Sequence, residues 1–132
     1  MARIVPFLLA AALLCGAVPS MAEDGTTRTC ALTKAFECTS QDGCKEWTVQ
    51  EMALPRFILI DLKAKTINSL DKHIPRAPTK IAVIEKLEGI TALQGTEMRG
   101  WSMALGEESG ALTLSATGDD EAFIVFGSCM NP

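Results

Sequence analysis

The chain has 132 residues, of which 16 are acids and 12 are Lys or Arg, for a net charge of −4. That balance argues against a nucleic-acid partner, which needs a basic face. With 48% apolar residues and no repeated or low-complexity stretch it is a globular chain, and without G-x-G-x-x-G, a Walker loop or H-E-x-x-H it has no basis for nucleotide or zinc-hydrolase chemistry.

Met1-Ala2-Arg3 is a short positive start, Ile4 to Leu14 is an unbroken apolar run, and Ser20-Met21-Ala22 supplies the small residues of a cleavage site. This is the pattern of a secretory signal peptide over residues 1–22, cut after Ala22. The run is too short for a hydrocarbon core of about 30 Å, so no transmembrane segment is expected in the mature chain. Leu14 stands where a lipoprotein signal needs a small residue, which weakens Cys15 as a lipid attachment point. The expected location is periplasmic or secreted. Removing residues 1–22 takes one cation, Arg3, and leaves 110 residues with 11 cations against 16 acids, a charge of −5. The expected organisation is a flexible N-terminus over 23–29 followed by a single β domain over 30–132. No feature specifies an oligomer.

Four cysteines remain: Cys30, Cys38, Cys44 and Cys129. An even number in an exported domain points to two disulfides, for which three connectivities exist. We favour Cys38–Cys44 as a local clasp and Cys30–Cys129 as a tie between the first and last parts of the domain. A zinc site is the rival for four thiols, but there is no C-x-x-C pair and an oxidising compartment converts thiols to disulfides. No metal site and no cofactor are expected.

Residues 46–52 fit either a strand or a turn of helix. Phe57 to Leu62 is a nearly continuous run of β-favouring residues with Pro55 at its entrance, a strand, and Thr66 to Leu70 returns antiparallel after Lys63-Ala64-Lys65. Asp71 to Lys80 contains Pro75 and Pro78 and is expected as a stiff, exposed connection, the longest loop of the fold. Lys63, Lys65, Lys72, His73, Arg76 and Lys80 gather there on an otherwise acidic protein, so Lys72, His73, Arg76 and Lys80 are candidate partner-binding residues. His73 is the sole histidine, and a proline-flanked loop is poor ground for a preorganised base.

From Ile81 to Cys129 the chain alternates in short apolar runs. Glu88-Gly89 between Ile81–Leu87 and Ile90–Leu93 approaches a two-residue hairpin. Trp101, Met103 and Leu105 alternate with Ser102 and Ala104, and Leu112, Leu114 and Ala116 alternate with Thr113, Ser115 and Thr117. This period of two gives strands with one apolar face, joined through Gly106 to Gly110. After Gly118-Asp119-Asp120, Ala122 to Gly127 is apolar at successive positions, as expected of a strand covered on both sides. Connections this short force antiparallel neighbours. The expected fold is all-β, an antiparallel meander of about six to eight strands forming a small barrel or strongly curved sheet, stapled by disulfides.

Catalytic constellations are weak. Gly100-Trp101-Ser102-Met103-Ala104 imitates a nucleophile elbow, but Ser102 sits on the polar face of an alternating strand with no helix after it. Glu107, Glu108, Asp119, Asp120 and Glu121 fall at hairpin turns, where acids serve solubility and local hydrogen bonding. No nucleophile, base and orienting group assemble, so no catalytic residue is assigned. The large apolar side chains Phe57, Trp101, Met103 and Phe123 are candidate lining for a ligand in a barrel mouth.

The run R-G-W-S-M-A-L, then S-G-A-L-T-L, then F-I-V-F-G-S-C resembles the ending of small exported bacterial β-meander proteins of uncharacterised function. In size and disulfide number the chain is also similar to periplasmic inhibitor barrels directed at lysozymes or proteases. The second resemblance implies an inhibitor-like activity, and the leading expectation is a non-enzymatic binding module that uses the Asp71 to Lys80 loop or the hairpin turns against an envelope or secreted protein partner. A carrier of a small apolar ligand is the alternative, and a hydrolytic enzyme ranks last.

Overall fold

The computed structural model describes residues 25–130, so the signal-peptide segment and Cys15 lie outside the described residues. Those described form an all-β structure without helix, with no segment able to cross a membrane as a helix. Its ten strands are β1 Thr27–Thr39, β2 Gly43–Trp47, β3 Phe57–Asp61, β4 Thr66–Ser69, β5 Thr79–Lys80, β6 Val83–Leu87, β7 Ile90–Gly95, β8 Gly100–Gly106, β9 Ala111–Thr117 and β10 Glu121–Cys129. All pairings are antiparallel, in the order β5-β4-β3-β1-β10-β9-β8-β7-β6, with β2 also on β1.

The strand count exceeds the expected six to eight for two reasons. β1 and β2 form a hairpin closed by Cys38–Cys44 that alternation alone did not mark. The expected strand over Ile81–Leu87 is part of a longer stretch that changes partner. Its start, β5, pairs β4, and the Ile81 amide still donates to the Lys65 carbonyl at 2.9 Å. From there the Ala82 amide donates to the Gln94 carbonyl at 2.8 Å and β6 pairs β7. Thr79 to Leu87 therefore joins the two edges of the curled sheet. Counting it as one stave and setting the β2 flap aside, the strongly curled, half-barrel sheet has eight staves, the strand number at which a barrel-like interior is filled by side chains or holds one small ligand.

β1 organises the ring. One edge pairs β10 from Cys30 to Thr39, while the other is shared by β3 on Thr27–Ala31 and β2 on Ala35–Thr39. A bulge between Leu32 and Lys34 shifts the alternation, so Cys30 and Leu32 face the core before it and Ala35 after it. Thr27 to Thr29 pair with β3, and Arg28 is buried, so these residues belong to the sheet rather than to a flexible lead. Cys30 lies opposite Cys129 and is bonded to it, which staples the first ring strand to the last, and both favoured disulfides are present.

Two further expectations are corrected. β10 is not covered on both faces: Val125 is buried, but Phe126 is 40% exposed, because no second layer packs outside the ring. Asp71–Lys80 is shorter as a loop than expected, since Thr79 and Lys80 form β5, and the irregular segment 48–56 equals the remaining 70–78 in length. In residues 46–52, Trp47 ends β2 and a compact turn follows.

Candidate functional site

Residues directly opposite in antiparallel strands point to the same face, so register places the inner side chains in layers. In the upper layer Glu37, Phe123, Ala116, Trp101 and Gly95 are successive neighbours across β1, β10, β9, β8 and β7. Ala35, Val125, Leu114, Met103, Leu93 and Ile84 form the next. Lower still, Ile60, Leu105 and Leu112 are almost completely buried and fill the interior.

At that lower end a polar cluster closes the interior. Arg28, 5% exposed, donates to Glu107 at 2.9 Å, and the Thr91 hydroxyl donates to the other carboxylate oxygen. The Thr91 hydrogen bond, then the Arg28 guanidinium, hold the Glu107 carboxyl below its ordinary range against the opposing effect of burial. A charge pair satisfied in this way can sit at the end of an apolar ring.

The upper end is open. A cavity of about 660 Å³ runs from the mouth down to Met103 and Ile58, within the size range of small-molecule sites. Its walls are mostly apolar: Leu32, Trp47, Met52, Leu54, Ile58, Ile67, Trp101, Met103, Leu114, Ala116, Phe123 and Val125. Trp101 lies across Gly95, where a Cβ would come within 2.6 Å of the indole Nε1, so the position leaves room for the ring only as glycine.

Segment 48–56 forms one lip. The Thr48 amide donates to the Glu51 carboxylate at 2.9 Å, and the Glu51 amide donates to the Thr48 hydroxyl at 3.1 Å. This reciprocal T-x-x-E arrangement fixes the turn that directs Met52 and Leu54 onto the cavity. Its backbone hydrogen bond, followed by the hydroxyl bond, also holds the Glu51 carboxyl below its ordinary range. On the opposite lip Arg99 is held by Glu121, with Nε at 3.0 Å, and its guanidinium lies 4.9 Å from the Phe123 ring centre. Ala53 and Met98 both line the mouth with left-handed backbone, at φ 53° and 59°. Such conformations are unfavourable for residues with a Cβ and recur at functional sites.

Of the apolar residues singled out from sequence, the structure brings Trp101, Met103 and Phe123 together on the cavity. Phe57 is corrected: it is 46% exposed on the outer face, and its neighbours Ile58 and Ile60 point inward. In the basic loop Lys72, His73 and Arg76 are exposed, but only Arg76 reaches the cavity. Lys80 lies opposite Thr66, beside the Lys63–Lys65 turn, so the strand β4 separates these lysines from the loop cations. Asp71 also sits among them, its carboxyl held low by the His73 amide and then the Arg56 amide.

Ser102 is exposed on the outside of β8. Glu107, in the β8–β9 turn, and Glu121, the first residue of β10, also form ion pairs. Glu37, Trp47, Met52, Leu54 and Arg99 were not read as site residues; no local pattern marks them, because the register of distant strands is what places them together. Among the described residues no group of three or more His, Cys, Asp or Glu could hold a metal ion. The chain matches no protein-family model, no curated protein and no solved structure.

Proposed function

We propose that the protein is a non-enzymatic binding barrel, exported through its N-terminal signal and holding one small, largely apolar ligand in the cavity. The observation that carries this reading is the cavity itself: about 660 Å³, open at one end, walled by three aromatic rings and aliphatic side chains. Eight-stave rings have room for one such molecule. The two disulfides suit an oxidising compartment.

Binding to a protein partner through Lys72, His73 and Arg76 stands second, on the exposure of these residues at the lip. It ranks lower because Asp71 offsets their charge and Lys80 lies apart. The test is calorimetric titration of the mature protein with dodecyl maltoside below its micellar concentration. Saturable binding of one molecule per chain is expected, and Ala116→Phe, which puts a ring into the cavity wall, abolishes it. Absence of heat, or equal binding by the variant, refutes the reading.

A further inference from the structure

The charges around the cavity are unevenly compensated. Five charged residues line it: Glu37, Glu51, Glu97, Arg76 and Arg99. Arg99 is neutralised by Glu121 and lies over the Phe123 ring. Glu37 is half-buried in the upper layer, directly beside Phe123 in register, and among the described residues it makes no ion pair. Its cross-strand neighbour Lys45 places its ammonium 4.0 Å from the Trp47 ring centre instead.

Two consequences follow. Near the mouth the net charge is negative, and the most enclosed of the carboxylates belongs to Glu37, where withdrawal from water strengthens its field. Two cations remain near the mouth: Arg76 is exposed on the 70–78 loop, where solvent and salt screen it, and Lys45 lies over Trp47, where it offsets one of the three carboxylates. The rings near Glu37 also favour positive charge. Trp47 and Phe123 each already draw a cation from the protein, and Trp101 offers a third π-system on the same wall.

We infer that the ligand is a cationic amphiphile, its alkyl part packed on Met103, Leu114 and Ile58 and its ammonium group beside Glu37 among Trp101 and Phe123. This inference rests on the cavity reading above and adds the charge of the head group.

The experiment compares three probes with one alkyl chain: dodecyltrimethylammonium, dodecyl maltoside and dodecanoate, each below its micellar concentration. Trp47 and Trp101 are the only tryptophans and the chain has no tyrosine, so intrinsic emission reports the cavity directly. The ammonium probe should bind about tenfold more tightly than the neutral one, a cation–π and ion-pair contribution of ordinary size. Glu37→Gln should bring the ammonium and maltoside affinities together, and added salt should narrow the preference in the unaltered protein. Ala116→Phe should abolish ammonium binding, whereas general attraction to an acidic surface would survive and overturn the inference. Equal affinity for neutral and ammonium probes also overturns it, as does tightest binding of dodecanoate. If none of the three binds, the cavity reading falls and takes this inference with it.

Discussion

Gly95→Ala tests the packing that shapes the cavity. Gly95 faces Trp101 across the β7–β8 pair, and an added Cβ would lie 2.6 Å from the indole Nε1. Ordinary contact needs about 3.5 to 4 Å, so the ring must move by roughly 1 Å. Its other neighbours on the wall are Met103 and Ala116, and the direction with free space is the cavity. Overpacking of this kind costs about 1 to 3 kcal/mol, and the open space on one side favours the lower half of that range. In a domain of this size each kcal/mol lowers Tm by about 4 to 8 °C. Urea unfolding followed by circular dichroism should show this loss with an unchanged slope, accompanied by a shifted tryptophan emission maximum. Stability within about 0.5 kcal/mol of the parent, with unchanged emission, would contradict the placement of Trp101 over Gly95.

Glu107→Gln replaces the carboxylate paired with the buried Arg28 guanidinium by a neutral amide and should cost about 2 kcal/mol at pH 7, less than a fully buried pair because Glu107 is one-third exposed. Since the folded Glu107 carboxyl titrates below its ordinary value of 4.5, its stabilisation is complete above that value and lost as pH falls through the lower folded one. Urea midpoints of parent and variant should therefore converge as the pH is lowered below 4.5, and a gap that stays constant or widens would refute the assignment. Paired Cys-to-Ala removal of Cys30 and Cys129, separated by 99 residues, should cost about 4 to 5 kcal/mol in the chain-entropy model. Removing Cys38 and Cys44, only 6 apart, should cost about 2 by the same model, and equal losses in urea unfolding would contradict the ranking.

The strands legible in the sequence are those whose period of two is unbroken. Trp101, Met103 and Leu105 and the run Leu112, Leu114, Ala116 both turn their alternating faces inward as expected. β1 was hidden because its bulge between Leu32 and Lys34 breaks the period midway and because Arg28, Lys34 and Glu37 dilute its apolar signal. Phe57 was placed on the wrong face for a related reason. In a run apolar at successive positions, as in Phe57 to Ile60, size does not tell which parity faces the core; the register with β1 decides. The same ambiguity made β10 look two-sided. Closure at Ile81 and Ala82 and the Arg28–Glu107 pair depend on contacts between residues far apart in sequence, which no local spacing encodes.

The central claim is that a ligand enters the ring, and quenching by a brominated dodecyl maltoside tests it most directly. Bromine quenches an indole only near contact, and both tryptophans line the cavity. The account predicts saturable loss of emission at one molecule per chain, reversed by excess unbrominated dodecyl maltoside. Emission that stays constant, or declines linearly without saturation, would contradict it.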